Sequence, residues 1–112
     1  MSVTMKLLFA RKQAEAAQTT QYTVPAGTKC VIDKFTVTNT SAAVATIGVN
    51  LVPSAGAAAD ANLIVKGRSI APSETYTCPE LIGQVLEAGG FISTIASGAA
   101  ALTISGSGRE IV

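Results

Sequence analysis

Between residues 44 and 52, VATIGVNLV, apolar and small polar side chains alternate. Ala45, Ile47, Val49 and Leu51 fall on one side of an extended chain, and Thr46, Gly48 and Asn50 on the other. A period of two marks a strand with one face turned to a core. VTMKLLF repeats the pattern: Val3, Met5, Leu7 and Phe9 share one side and Thr4 and Lys6 take the opposite one, predicting a half-buried strand over residues 3–9. The next stretch, ARKQAEAAQTT, has only alanines as apolar residues, so it reads either as one or two weak helical turns or as an exposed connection. KCVIDKFTVTN places Val31, Phe35 and Val37 on one parity and Cys30 and Ile32 on the other. The charged pair Asp33-Lys34 interrupts it, which predicts a bulge or an edge.

Further short β runs are LIVKGRSI, TYTC, Phe91–Ser97, LTISG and REIV. Turn chemistry separates them. In QYTVPAGTK, Pro25 fixes φ and Gly27 permits a positive φ, so the stretch reads as a corner between strands; NTSAA, PSAGAAADAN, APSE and the Gly89-Gly90 pair are the other breaks. About eight short strands at spacings of roughly ten residues predict an all-β fold: an antiparallel β-sandwich, jelly-roll-like, in one domain over residues 1–112. Residues 1–20 form its N-terminal strand and connection.

Composition changes the picture in one respect. Charged residues are 13% of the 112, against about 25% in an ordinary soluble domain, while the hydrophobic share of 48% is ordinary. A surface of Ala, Ser, Thr, Gly and Asn is poorly suited to keeping copies apart, which predicts a homo-oligomer or a subunit covered by other proteins. A net charge of +1, with Arg11-Lys12 the only adjacent basic pair, gives no footing for nucleic acid. No apolar run reaches the roughly 20 residues of a membrane span, and the N-terminus lacks the long apolar middle of a secretory signal, so synthesis in the cytoplasm is the expectation.

Candidate chemistry is sparse. Without histidine the usual general base and the Ser-His-Asp, Cys-His and imidazole-metal arrangements are missing. Asp33, Asp60, Glu74, Glu80 and Glu87 are scattered, and a glycosidase-like pair would need two of them to converge. VPAGTK and SGSGR lack the spacing and the following helix of a phosphate loop. Cys30 and Cys78 are either buried thiols or a single bridge. Phe35 and Phe91 read as core, and Tyr22 and Tyr76 as boundary residues with hydroxyls in water. The expectation is therefore a non-enzyme with no catalytic, cofactor or metal residues. The stripe Val3, Met5, Leu7 and Phe9 is the candidate oligomer or partner interface, able to reach a neighbour or complete its sheet.

The segments YTVPAGTKCVIDKFTVTNTSAA, VNLVPSAGAAADANLIVKGRSIAPSETY, VLEAGGFISTIAS and LTISGSGREI, in that order over residues 21–112, resemble small structural proteins of tailed bacteriophages. The resemblance implies a virion component without enzymatic activity. It points to a trimeric capsid decoration (cement) protein that bridges subunits of the major capsid protein, or alternatively to a collar or tail component; a binding module, such as a tail or fibre accessory that contacts host surface glycans, is a separate expectation. The resemblance supplies no site residues.

Overall fold

The computed structural model describes residues 1–112, and its regular secondary structure is all strand apart from a single 3-10 turn at Asp60–Asn62. Nine strands run in order: β1 (Val3–Gln13), β2 (Thr19–Thr23), β3 (Lys29–Asn39), β4 (Ala45–Val52), β5 (Leu63–Ile70), β6 (Thr75–Tyr76), β7 (Val85–Leu86), β8 (Phe91–Ala96) and β9 (Leu102–Ile111). They form two antiparallel sheets. Sheet A has the order β1-β9-β3-β6, with β7 also paired to β3; sheet B has the order β2-β8-β4-β5. The expected sandwich is what the chain builds.

The QYTVPAGTK corner carries the chain from β2 in sheet B to β3 in sheet A, and Gly27 stands at φ +70° there. A residue with a Cβ would be strained at that angle, so this turn favours glycine. The core between the sheets holds Ile32, Phe35, Val37, Ile47, Val49, Ile70, Ile92, Leu102 and Ile104, all fully buried. Phe9 packs its ring on Phe35 with centroids 5.7 Å apart.

Bulges account for where the two-residue period breaks. The β3–β9 register shifts between Ile32 and Lys34, at the predicted place. Cys30 and Ile32 face the core before the bulge and Phe35 and Val37 after it, while Val31 is left on the outer face. Two opposite parities in one strand thus serve one core.

Three elements differ from the expectation. β1 does not stop at residue 9 but continues through Gln13, because β9 supplies partners as far as Thr103. LTISG and REIV are one strand, since β1 and β3 flank β9 along its length. Val85–Leu86 adds a short strand within the connection before Gly89, pairing with Cys30 and Val31.

The N-terminal stripe is also divided. A register shift between Leu7 and Phe9 turns Leu8 and Phe9 both toward the core. Phe9, 8% exposed, is therefore a core residue and is withdrawn from the candidate interface. Val3, Met5 and Leu7 remain on the solvent side, so residues 3–7 are not the half-buried run the alternation predicted. Their apolar parity faces out because the inward parity carries Lys6, whose ammonium bonds Glu110 at 3.2 Å and lies 5.9 Å from the centre of the Tyr22 ring.

Candidate assembly interface

The outer face of sheet A, at the end where the two chain termini meet, carries four of the nine exposed large apolar side chains: Val3, Met5, Leu7 and Val85. The strand register places them. Val3 is opposite Ile111, Met5 opposite Arg109 and Leu7 opposite Ser107; Arg109 is in turn opposite Val31, and Val31 opposite Val85. Met5 is 84% exposed, Val85 55%, Val3 50% and Leu7 42%. Such a cluster is seldom left bare on a monomer's surface. In its midst Arg109 holds the Asp33 carboxylate through Nε and Nη2, at 3.0 and 2.9 Å, and the same face carries Lys29, opposite Ile111 and paired with Glu87, and Lys34, opposite Ser107. The carboxylate raises the Arg109 pKa further above its already high value.

Three of the four residues of the candidate stripe, Val3, Met5 and Leu7, thus lie on this outer face, and Val31, Val85 and Ile111 lie on it with them. The sequence carried no usable signal for these additions. Val31 belongs to the outer face only because of the bulge after Ile32, and a two-residue strand such as β7 is too short to show a period.

Elsewhere, polar groups with chemical potential are tied into structure. Both tyrosine residues are largely buried, and each hydroxyl donates to a carboxylate, Tyr22 to Glu110 and Tyr76 to Glu80. The Arg68 guanidinium covers the Tyr76 ring at 4.3 Å. Burial and the Glu80 carboxylate push the Tyr76 hydroxyl from the ordinary 10.0 to about 12, and burial and Glu110 raise Tyr22 further. Glu87 pairs with Lys29 at 3.6 Å, Glu15 with Lys12 at 2.7 Å, and Glu74 accepts the Ala71 amide at 2.7 Å. Cys30 and Cys78 are separate buried thiols, with no bridge. Burial, with Glu80 nearby, pushes the Cys78 thiol up to about 12, and burial raises Cys30 as well, so both are protonated at neutral pH and poor nucleophiles.

The outer face of sheet B is covered differently. The loop between β4 and β5 folds back over it, and Asn50 donates to the Ala59 carbonyl at 3.1 Å and to Asn62 Oδ1 at 2.7 Å. Gln18 reaches in from the other side to Ser93 Oγ at 2.8 Å. Beside this network lies an open cleft of about 430 Å³ walled by Gln18, Asn50, Asp60, Lys66, Ile95 and Ser97. Gly48 forms part of it, where a Cβ would stand 3.1 Å from Ile95 Cγ2.

Comparison of the chain with protein-family models, curated proteins and solved structures yields no significant match.

The carboxylates set a pH dependence. The Glu110 pKa lies below the ordinary 4.5, chiefly because Tyr22 donates to its carboxylate and secondarily because Lys6 does; that of Glu80 is lowered chiefly by Tyr76. A depressed folded-state pKa gives stability that is present above the unfolded value and lost as pH falls through the folded one. The urea midpoint is therefore expected to decline on acidification below about pH 4.5, and Glu110→Gln to flatten that decline while lowering the midpoint at neutral pH. The raised Tyr76 acts in the opposite direction: its contribution is complete below pH 10 and lost toward pH 12. Midpoints measured from pH 2 to 7 check the acid limb; equal slopes for wild type and Glu110→Gln would remove Glu110 from this role.

Proposed function

We propose that the chain is a non-enzymatic virion structural protein of a tailed bacteriophage, a decoration (cement) subunit that bridges neighbouring major capsid proteins through the outer face of sheet A. The observation that carries this reading is the exposed cluster of Val3, Met5, Leu7 and Val85, with Val31 and Ile111, on a molecule with only 13% charged residues. The resemblance over residues 21–112 supplies the virion. The interleaved orders β1-β9-β3-β6 and β2-β8-β4-β5 are read here as jelly-roll connectivity, with β6 and β7 as one interrupted strand, which accords with it.

A cement subunit works by burying surface on several shell proteins at once, so that expansion or rupture must expose all of those contacts together. A sheet face that sets apolar side chains beside charges already paired with one another suits such contacts, because apolar area supplies affinity while the Arg109–Asp33 and Lys29–Glu87 pairs satisfy each other.

The test is co-sedimentation of the purified chain with shells assembled from the major capsid protein alone. Saturable binding is expected, weakened by Val85→Asp about tenfold or more. Burying one valine is worth about 1.5 kcal/mol or more, and about 1.4 kcal/mol is a factor of ten. Absence of binding to shells would overturn the reading. A second reading, a collar, tail or fibre accessory that binds host glycans, is favoured by the cleft on sheet B, whose amides, hydroxyl and Asp60 carboxylate can bond sugar hydroxyls. A glycan array signal lost on Asp60→Ala and Gln18→Ala would support it over the shell.

A further inference from the structure

The free edge of β1 carries an inference of its own, independent of where on a particle the chain sits. β1 ends sheet A, its only strand partner being β9. At its start, the Ser2 amide donates to the Val112 carbonyl and the Val112 amide to the Ser2 carbonyl, both at 2.9 Å. In an antiparallel ladder such doubly bonded pairs alternate with pairs that exchange no bonds. Register continues without a break from Val3–Ile111 to Leu7–Ser107, so Thr4 and Lys6 spend their backbone groups on β9. Val3, Met5 and Leu7 turn theirs outward, to the open edge.

An open strand edge is ordinarily guarded by short length, bulges, proline or charge. The other edges of this molecule have such guards. β6 is two residues long, β2 five with a register shift, and β5 carries Lys66, Arg68 and two register irregularities against β4. β1 has none before its bulge after Leu7. Its one charge in that stretch, Lys6, is neutralised by Glu110 at 3.2 Å.

The segment Val3-Thr4-Met5-Lys6-Leu7 is self-complementary. Laid antiparallel on a copy of itself about Met5, it sets Val3 opposite Leu7, Met5 opposite Met5 and Thr4 opposite Lys6. Every apolar residue meets an apolar one, every polar residue a polar one, and no lysine meets a lysine. The outward backbone groups of Val3, Met5 and Leu7 then form doubly bonded pairs in the same register. Two independent features, backbone phase and side-chain pattern, select one alignment.

We propose that β1 is a homodimerisation strand: two copies pair edge to edge about a two-fold axis at Met5, joining their A sheets into one sheet in the order β6-β3-β9-β1 and back through the partner's β1-β9-β3-β6. The partner is a second copy of this chain because the segment complements itself, and a net charge of +1 offers little repulsion between copies. This two-fold contact replaces the three-fold expected from the resemblance; a trimer needs two different patches to meet, whereas this edge needs only itself. Pairing also doubles the apolar outer face into a continuous patch.

A single cysteine tests the register. In a doubly bonded pair the Cα atoms are about 5.5 Å apart, within the range of a disulfide. Met5→Cys is expected to give a disulfide-linked dimer on mild oxidation, while Thr4→Cys and Lys6→Cys, which do not face themselves, remain uncrosslinked. The native cysteines are buried and do not compete. Sedimentation velocity of the wild-type chain is expected to give twice the 11.3 kDa protomer mass, and Met5→Lys, which sets two like charges face to face, to halve it. Met5→Pro should do the same without harming the fold, since the Met5 amide does not serve β9. A wild-type monomer at the highest attainable concentration, a trimer, or a dimer indifferent to Met5→Lys and Met5→Pro would overturn the proposal. Failure to bind shells, by contrast, would leave it untouched and count only against the cement reading, which Val85→Asp probes away from this edge.

Discussion

Gly108→Ala is expected to lower the thermal midpoint by about 10 °C or more. Gly108 lies in β9, between β1 and β3, opposite Lys6 on one side and Ile32 on the other. A Cβ there would stand 2.2 Å from the Val31 carbonyl oxygen and 3.2 Å from its carbon. These are backbone atoms beside a bulge, so no side-chain rotation relieves the clash and the β3–β9 ladder itself must part. Overpacking costs roughly 1–3 kcal/mol where side chains can adjust, and a backbone obstacle belongs at the upper end. At about 4 °C per kcal/mol for a domain of this size, that becomes the stated shift. Gly106→Ala is the informative comparison: its Cβ would meet Phe9 Cε1 at 2.7 Å, and an aromatic ring in a core can move. Gly98→Ala, with Ala101 Cβ its nearest neighbour at 4.0 Å, is expected to be silent. Scanning calorimetry of the three variants checks the order. A Gly108→Ala midpoint within about 2 °C of wild type would mean that β3 and β9 separate freely, contrary to the close approach described.

These two glycines show where sequence reading stopped. SGSGR could be dismissed as a phosphate loop from spacing alone, but the reason for glycine in mid-strand is a distance to Val31 and Phe9 that only the assembled sheet defines. The same holds along β1. The alternation Val3, Met5, Leu7, Phe9 identified an unbroken apolar stripe, whereas the chain inserts a bulge that sends Phe9 inward and leaves the first three outside. Local pattern gave the strands of the sandwich because each needs one apolar parity for the core, and the VPAGTK corner because proline and glycine fix backbone angles regardless of context. It could not give sheet membership, since every connection but two, β4 to β5 and β6 to β7, crosses between the layers. Nor could it show that Tyr22 and Tyr76 find carboxylates far along or near in the chain, Glu110 and Glu80. The outer apolar patch was half legible for the same reason: three residues lie on one continuous strand, and the other three arrive by pairing.

Asn39→Ala is the second change with a large expected effect, a loss of about 3 kcal/mol. Asn39 closes β3 and is 1% exposed, and its side chain spends all four of its bonding directions. Nδ2 donates to the Ala43 and Ile70 carbonyls, both at 2.8 Å; Oδ1 accepts from the Ser41 amide at 2.9 Å and from Ser41 Oγ at 2.7 Å. Three of those bonds shape the turn after β3, which the NTSAA composition foretold. The bond to Ile70 crosses from sheet A to the end of β5 in sheet B, so one amide pins a turn and ties the layers together. Each hydrogen bond contributes about 0.5–1.5 kcal/mol net, and a buried group left without a partner costs about 1–3 kcal/mol. Asn39→Asp separates the two parts of the role. It keeps the acceptor toward Ser41 but sets a second oxygen against two carbonyls, so its pKa must rise, and a group raised in the folded state stabilises at low pH and ceases to do so as pH climbs through that value. The variant is therefore expected to gain urea resistance on mild acidification, opposite in sign to the wild-type carboxylates. A variant equally stable from pH 4 to 8, or an alanine variant within about 0.5 kcal/mol of wild type, would show that Asn39 neither holds the turn nor joins the sheets.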